Sequence, residues 1–171
     1  MNNKTLFITH GAIIAAIYVV LTLLANAFGL ANYVIQVRFS EALTILPFFT
    51  PAAIPGLFAG CIISNVLTGC MLLDTVFGSL ATLIGALGTY FIAVRLKHDR
   101  TARYLSPLPP ILANTIIVPF VLACVYKFEG SIPYFMLTVG IGEVISCGML
   151  GLLLLAALYP RRCAIFKTNV E

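Results

Sequence analysis

Six polar or charged residues interrupt the long apolar stretches of the sequence, and they are its candidates for ligand chemistry. These residues are Arg38, Glu41, Asn65, Asp74, Asn114 and Glu143. A polar side chain in an apolar helix costs free energy unless it is paired or faces water, so such positions are where a membrane protein keeps its binding site. Carboxylates accept hydrogen bonds or neutralise a cation, whereas arginine and asparagine can donate. The set therefore predicts a polar pocket within an apolar protein.

Each candidate also has a purely structural interpretation. Arg38 and Glu41 are three residues apart and could pair on one helical face. Asp74 could cap the helix that it begins, and the two asparagines could form hydrogen bonds between helices. Glu143 has no basic residue in its own apolar stretch before Arg161, so it needs a partner from another helix, a ligand or a proton.

The composition indicates which elements must hold these residues. The chain has 171 residues, of which 61% are hydrophobic and 9% are charged, and its mean hydropathy is +1.06. A soluble domain is about 25% charged, which excludes a soluble globular protein. Because a bilayer-spanning helix needs about 20 apolar residues, the chain has the length for a compact six-helix membrane bundle without an appended soluble domain.

We predict one membrane domain over residues 1–171, all-α, with six transmembrane helices. Their predicted bounds are 6–30, 40–50, 53–70, 74–95, 107–126 and 132–159. Pro47, Pro51 and Pro55 interrupt the apolar stretch after Glu41, because proline removes a helical N–H and clashes with the preceding turn. We therefore expect the second helix to be short and bent.

The distribution of basic residues predicts the orientation. With six helices and a cytoplasmic N-terminus, most basic residues lie on the cytoplasmic side: Lys4, Arg95, Lys97, Arg100, Arg103, Arg161, Arg162 and Lys167. Arg38 and Lys127 would lie outside, which satisfies the positive-inside rule and puts both termini in the cytoplasm. In this topology most polar candidates fall in the outer half of the bundle and only Asn114 in the inner half. We therefore expect a pocket that opens to the outside.

Small residues on the first helix form two interleaved patterns. Gly11 and Ala15 are four residues apart, and so are Ala12 and Ala16. Such spacing allows two helices to approach closely. The patterns are therefore expected to pack inside the protein or to form a face for a partner helix.

Several motifs of enzymes and metal proteins do not occur in the sequence. It contains neither GxxxxGK[ST] nor HExxH, and its five cysteines form no CxxC pair. An ATP site, a metal site and a disulfide framework are therefore not predicted. The sequence predicts no cofactor, and an intramembrane enzyme is poorly supported.

Four stretches resemble a known family. They are Val37–Thr44, Leu46–Gly60, Asp74–Leu83 and Leu105–Asn114. These stretches resemble the queuosine-precursor transporter family (QueT type), whose members are substrate-binding S components of energy-coupling factor (ECF) transporters. The similarity extends over about residues 5–160, and its specific parts are Arg38–Glu41 and Asp74–Thr82. The resemblance implies six helices with both termini cytoplasmic, in the cell membrane.

The same resemblance implies partners and a substrate. Ala12 and Ala16 would dock on a transmembrane coupling subunit, and two ATPase subunits would be separate chains. The substrate would be a queuosine precursor, a 7-deazaguanine derivative, whose adjacent N–H donors suit a carboxylate and whose O6 suits a donor such as asparagine or arginine. Two alternatives stay open: an S component or solitary facilitator for another small solute such as a vitamin, and a structural or enzymatic membrane protein.

Overall fold

The computed structural model describes residues 2–29, 37–96 and 101–166. Within these ranges the regular elements are all helical, as the apolar composition predicts. Four helical runs have the length and apolar character to cross a bilayer: Asn3–Ala27, Leu72–Arg95, Thr101–Cys124 and Ile132–Phe166. Two further apolar helices are shorter, at Phe39–Phe48 and Ala53–Leu67. An all-helical membrane bundle is therefore confirmed for the described residues, whereas the number of crossings and the side of the termini stay predictions.

The helices lie close to their predicted positions. In chain order the described elements are α1 (Asn3–Ala27), a 3₁₀ helix (Phe39–Phe48), α2 (Ala53–Leu67), α3 (Leu72–Arg95), α4 (Thr101–Leu105), α5 (Leu108–Cys124), α6 (Ile132–Glu143), a π-helix (Val144–Leu150), α7 (Gly151–Leu158), a 3₁₀ turn (Tyr159–Arg161) and α8 (Arg162–Phe166). The first helix was predicted over 6–30, whereas α1 begins at Asn3 and ends at Ala27. The helix predicted from residue 107 is preceded by α4, which the sequence did not predict.

The 3₁₀ helix lies at the centre of the bundle. It replaces the short bent helix predicted over 40–50, and Pro47 lies inside it. All residues from Ser40 to Pro47 are buried, and α1, α3, α7 and the π-helix all contact the segment. A 3₁₀ helix rarely exceeds three or four residues because its hydrogen bonds are poorly aligned. Packing on every side therefore stabilises this ten-residue example.

Glycines bring two pairs of helices into close contact. A Cβ atom added to Gly56 of α2 would lie 2.6 Å from the carbonyl oxygen of Gly11 in α1. A Cβ added to Gly85 of α3 would lie 2.6 Å from Cα of Pro110 in α5. Because no larger residue fits at either contact, α1 is held on α2 and α5 on α3 at short distance.

The π-helix lies beside the first turn of the 3₁₀ helix. The backbone N–H of Arg38 donates to Oγ of Ser146 over 3.2 Å, and the Cys147 thiol donates to the carbonyl oxygen of Glu41 over 3.5 Å. A π-helix widens the turn and frequently marks a functional site. Here it follows Glu143 directly and links the last helical run to the residues around Glu41.

Aromatic contacts anchor the other end of the 3₁₀ helix. Phe49 and Phe166 stack with their ring centroids 5.3 Å apart. Two guanidinium groups lie over the Tyr159 ring, that of Arg103 at 3.6 Å and that of Arg162 at 4.0 Å from the ring centroid. These cation–π contacts join the short helices α4 and α8 to the bundle.

Candidate functional site

A single cavity brings most of the predicted site residues together. It encloses about 400 Å³ of empty space, counting its mouth. Its walls are formed by Arg38, Glu41, Asp74, Gly78, Thr82, Asn114, Val118, Val139 and Glu143. Five of these nine belong to the six residues that the sequence predicted. A concave space lined by a few convergent polar groups and by apolar side chains is the usual form of a small-molecule site.

Glu41 is the most deeply buried acid of the cavity, with 2% of its surface exposed. Its carboxylate accepts one hydrogen bond from the Tyr18 hydroxyl and another from Nδ2 of Asn114, the latter over 3.4 Å. Both donors are neutral, so neither compensates the charge of the carboxylate. The structural interpretation in which Arg38 and Glu41 pair with each other is wrong. Both residues are described, and their side chains form no ion pair.

Arg38 precedes the 3₁₀ helix and shares the cavity with Glu41. The backbone N–H of Glu41 donates to the carbonyl oxygen of Arg38 over 3.1 Å, which holds the two residues close together. Among the described residues no carboxylate lies within ion-pair distance of the Arg38 guanidinium. Its N–H donors are therefore available to an acceptor inside the cavity.

Glu143 enters the cavity from the last residue of α6. It is 8% exposed, and its Oε2 accepts a hydrogen bond from the Cys147 thiol over 3.1 Å. Carboxylate oxygens of Glu41 and Glu143 lie within 4.8 Å of each other and of the Cys147 sulfur. Two carboxylates this close repel each other unless a proton or a cation lies between them. The three groups could also reach one metal ion, although the guanidinium of Arg38 on the same cavity opposes a dication.

Asp74 lies in the first turn of α3, but it does not cap the helix. Met71 occupies the capping position and no side chain makes a capping hydrogen bond there. Asp74 instead accepts a hydrogen bond of 2.8 Å from the hydroxyl of Tyr126, which lies just beyond α5. Partial burial and this bond raise the pKa of Tyr126 to about 12, so its hydroxyl stays a donor at physiological pH.

The two asparagines occupy different layers. Asn114, which residue counting placed in the inner half of the bundle, lines the same cavity as the acids. Asn65 is buried outside the lining, and its Nδ2 donates to the Cys61 sulfur over 3.7 Å. A Cβ on Gly78 would lie 3.4 Å from that Nδ2. Asn65 therefore lies behind Gly78 in the wall of the cavity.

Two tyrosines that donate hydrogen bonds to the acids of the cavity were not among the residues predicted for the site. Tyr18 lies on the same face of α1 as Gly11 and Ala15, at helical spacing, and this periodicity could have revealed it. Tyr126 follows α5 in a turn and has no comparable signal in the sequence. The apolar walls contributed by Val118 and Val139 were equally hidden in generic apolar segments.

The two small-residue patterns of α1 point in different directions. Gly11 is buried, and Ala15 is approached by Gly60, whose added Cβ would lie 3.0 Å from the Ala15 carbonyl oxygen. Ala12 and Ala16 are exposed. The first pattern packs α1 on α2, and the second leaves an uncovered strip of small residues on the bundle surface.

Comparisons with known proteins agree with the resemblance seen in the sequence. The family model described as QueT transporter matches residues 8–160. The Queuosine precursor transporter QueT of Lactococcus lactis subsp. cremoris (strain MG1363) is 38% identical over 98 residues. That alignment covers 57% of this chain and 57% of the relative. No solved structure matches the chain.

Proposed function

Since this chain belongs to the QueT transporter family, we propose that it is the membrane-embedded substrate-binding (S) component of an ECF-type importer for a queuosine precursor. The observation that carries the proposal is the cavity, where three carboxylates, an arginine and an asparagine converge inside an apolar bundle. Buried groups of this kind need a partner that supplies both donors and an acceptor. A 7-deazaguanine base supplies both.

The arrangement suggests how the base is held. One of the two close carboxylates, Glu41 or Glu143, accepts the adjacent N1–H and exocyclic amine in a bidentate pair. Arg38 or Asn114 donates to O6. A cationic substituent such as an aminomethyl group lies near the remaining carboxylate. Val118 and Val139 give apolar contacts to the faces of the ring.

Transport needs partners that this chain does not supply. In the proposal Ala12 and Ala16 dock on a transmembrane coupling subunit, and two separate ATPase subunits provide the energy. The exposure of both alanines supports this role, because a docking face has to be free of intramolecular contacts. The chain lies in the cell membrane with both termini cytoplasmic, and the cavity opens to the outside.

Thermal unfolding of the detergent-purified protein tests the substrate. Four probes are compared at the same concentration: 7-aminomethyl-7-deazaguanine, its 7-cyano analogue, guanine and thiamine. A deazaguanine at about a hundredfold excess over its Kd should stabilise the protein by about 2.7 kcal/mol and raise the melting temperature, whereas thiamine should not. Stabilisation by thiamine alone would contradict the assignment and favour a vitamin carrier.

A second experiment tests the role as a subunit. The tagged protein is purified from its own cells in mild detergent, and ATPase chains should copurify with it. The double variant Ala12→Trp/Ala16→Trp, treated in the same way, should lose them. Uptake by the chain alone in liposomes, without ATPases, would instead identify a solitary facilitator.

A further inference from the structure

We propose that Tyr18 is a positioning residue, which holds the Glu41 carboxylate in the orientation in which it meets the ligand. The inference rests on the proposed function, because it assigns a role within that binding site. It makes α1 a part of the site although no residue of α1 lines the cavity. Three observations support it: the fixed position of Tyr18, the free lone pairs of Glu41 and the neutrality of the donors.

The position of Tyr18 is determined by its surroundings. Only 1% of the residue is exposed, and its ring packs in the central core with Ile45 and Leu57. A Cβ added to Gly60 would lie 2.9 Å from Cβ of Tyr18, so α2 presses against the residue at its base. Since neither the ring nor the backbone has room to shift, the hydroxyl is presented to Glu41 at one fixed place.

The geometry of the carboxylate leaves room for a ligand. An ionised carboxylate has about four lone-pair positions on its two oxygens. Tyr18 donates to Oε1 of Glu41 and Asn114 donates to Oε2, so each oxygen keeps a free acceptor position. Because each oxygen is bonded to a different residue, the two bonds together restrict rotation of the carboxylate. Since Glu41 lines the cavity, these free positions can accept from a ligand there.

The neutrality of the donors preserves the charge for the ligand. A tyrosine hydroxyl and an amide orient a carboxylate without cancelling its charge. A ligand N–H that binds to the oriented group forms a charge-assisted hydrogen bond, which is stronger than a neutral one. Tyr18 thus acts on affinity through Glu41, and it contributes little when Glu41 is absent.

A double-mutant cycle tests this dependence. Binding of 7-aminomethyl-7-deazaguanine is measured by titration calorimetry for the wild type, Tyr18→Phe, Glu41→Gln and the double variant. Tyr18→Phe should lose about tenfold in affinity, as expected for one hydrogen bond to a charged group. The double variant should bind no more weakly than Glu41→Gln alone. Tyr18 acts only through the Glu41 carboxylate, so replacing that carboxylate already removes the contribution of Tyr18.

Tyr126→Phe is the matched control. It removes a hydroxyl that also donates to a cavity carboxylate, that of Asp74, but from outside α1. The fold-loss of affinity in Tyr126→Phe should multiply with that in Glu41→Gln, since the Tyr126 hydroxyl and the Glu41 carboxylate share no hydrogen bond. Melting temperatures of all variants identify any that fail to fold. Should Glu41→Gln fail to fold or bind below detection, Glu41→Asp takes its place, because the shorter side chain withdraws from Tyr18.

The outcomes separate this inference from the proposed function. If the wild type binds no deazaguanine, the proposed substrate is wrong and the assignment of Tyr18 falls with it. If the wild type binds and the losses of Tyr18→Phe and Glu41→Gln multiply, Tyr18 has a purely structural role and the inference alone is overturned.

Discussion

The two faces of α1 carry the same kind of sequence and have opposite surroundings. Gly11 and Ala15 lie against α2, and the next turn of that face presents Tyr18 to Glu41. Ala12 and Ala16, one residue further along in each case, are uncovered. Small residues therefore have two different roles on this helix. On one face they allow the packing that builds the cavity, and on the other they leave a surface on which a second helix can lie.

The spacing of the small residues did not predict which face of α1 is buried and which is exposed. Both patterns have a spacing of four residues. Such spacing predicts that another helix can approach the face closely, but it does not predict which element packs there. The covering depends on α2, whose Gly56 meets Gly11. Substitutions on one face of α1 should therefore differ in effect from substitutions on the other.

The largest effect is expected on the uncovered face. Ala12→Trp and Ala16→Trp should each abolish uptake of the precursor by cells, because an indole ring prevents close approach of a partner helix. Ligand binding by the isolated variants should be unchanged, since neither residue lines the cavity. Uptake assays and calorimetry on the same variants measure both properties.

The control for these variants lies on the same helix. Ile13→Trp and Ile17→Trp add the same ring at exposed positions, 52% and 44% accessible, outside the small-residue strip. Both should transport normally. Normal uptake by both Ala12→Trp and Ala16→Trp would show that this strip is not a docking surface.

A smaller effect, on stability, is expected on the covered face. Gly56→Ala places a methyl group 2.6 Å from the Gly11 carbonyl oxygen, so α1 and α2 must separate. Overpacking of this kind costs about 1–3 kcal/mol and should lower the melting temperature in detergent. Because α1 carries Tyr18, ligand affinity should fall as well.

Gly148→Ala is the matched substitution for this experiment. Its added methyl group would meet side-chain atoms of Ile111 and Val144 at 3.8 Å, an ordinary contact distance. The variant should keep the wild-type melting temperature or exceed it slightly, because alanine favours helix over glycine. Equal stability of the two variants would argue against the close α1–α2 contact.

The smallest effect is expected away from α1. Tyr126→Phe removes the hydroxyl that donates to Asp74 over 2.8 Å. Tyr126 is only partly buried, so water can replace the lost donor, and affinity should fall by roughly threefold. Calorimetry measures this loss against that of Tyr18→Phe. A larger loss in Tyr126→Phe would reverse the ranking and assign the main positioning role to the turn after α5.

The membrane bundle and the polar residues of its site were accessible from the sequence for a simple reason. Apolar stretches long enough to span a bilayer have few other interpretations, and a buried acid such as Glu143 stands out within them. The inner-half position of Asn114 was predicted from a helix beginning at residue 107, whereas the helical run that carries it begins with α4 at Thr101. Six more residues at its start move Asn114 toward the middle of the run.

Other features depend on contacts that no local pattern encodes. The 3₁₀ geometry of Phe39–Phe48 depends on packing against α1, α2, α3, α7 and the π-helix as well as on Pro47. The bond between Tyr18 and Glu41 joins residues 23 positions apart through the packing of α1. Propensity and periodicity do not specify such partners.

The central claim is that the cavity binds its ligand through buried acids, and Glu143→Gln tests it most directly. Glutamine keeps the shape of the side chain and one acceptor oxygen, but it cannot neutralise a cation or accept a bidentate pair of N–H groups. Titration of the purified variant with 7-aminomethyl-7-deazaguanine should show a loss of roughly 1.5–3 kcal/mol, which is about ten- to hundredfold in affinity. Wild-type affinity in Glu143→Gln would contradict the account and leave Glu143 as a residue that only joins helices.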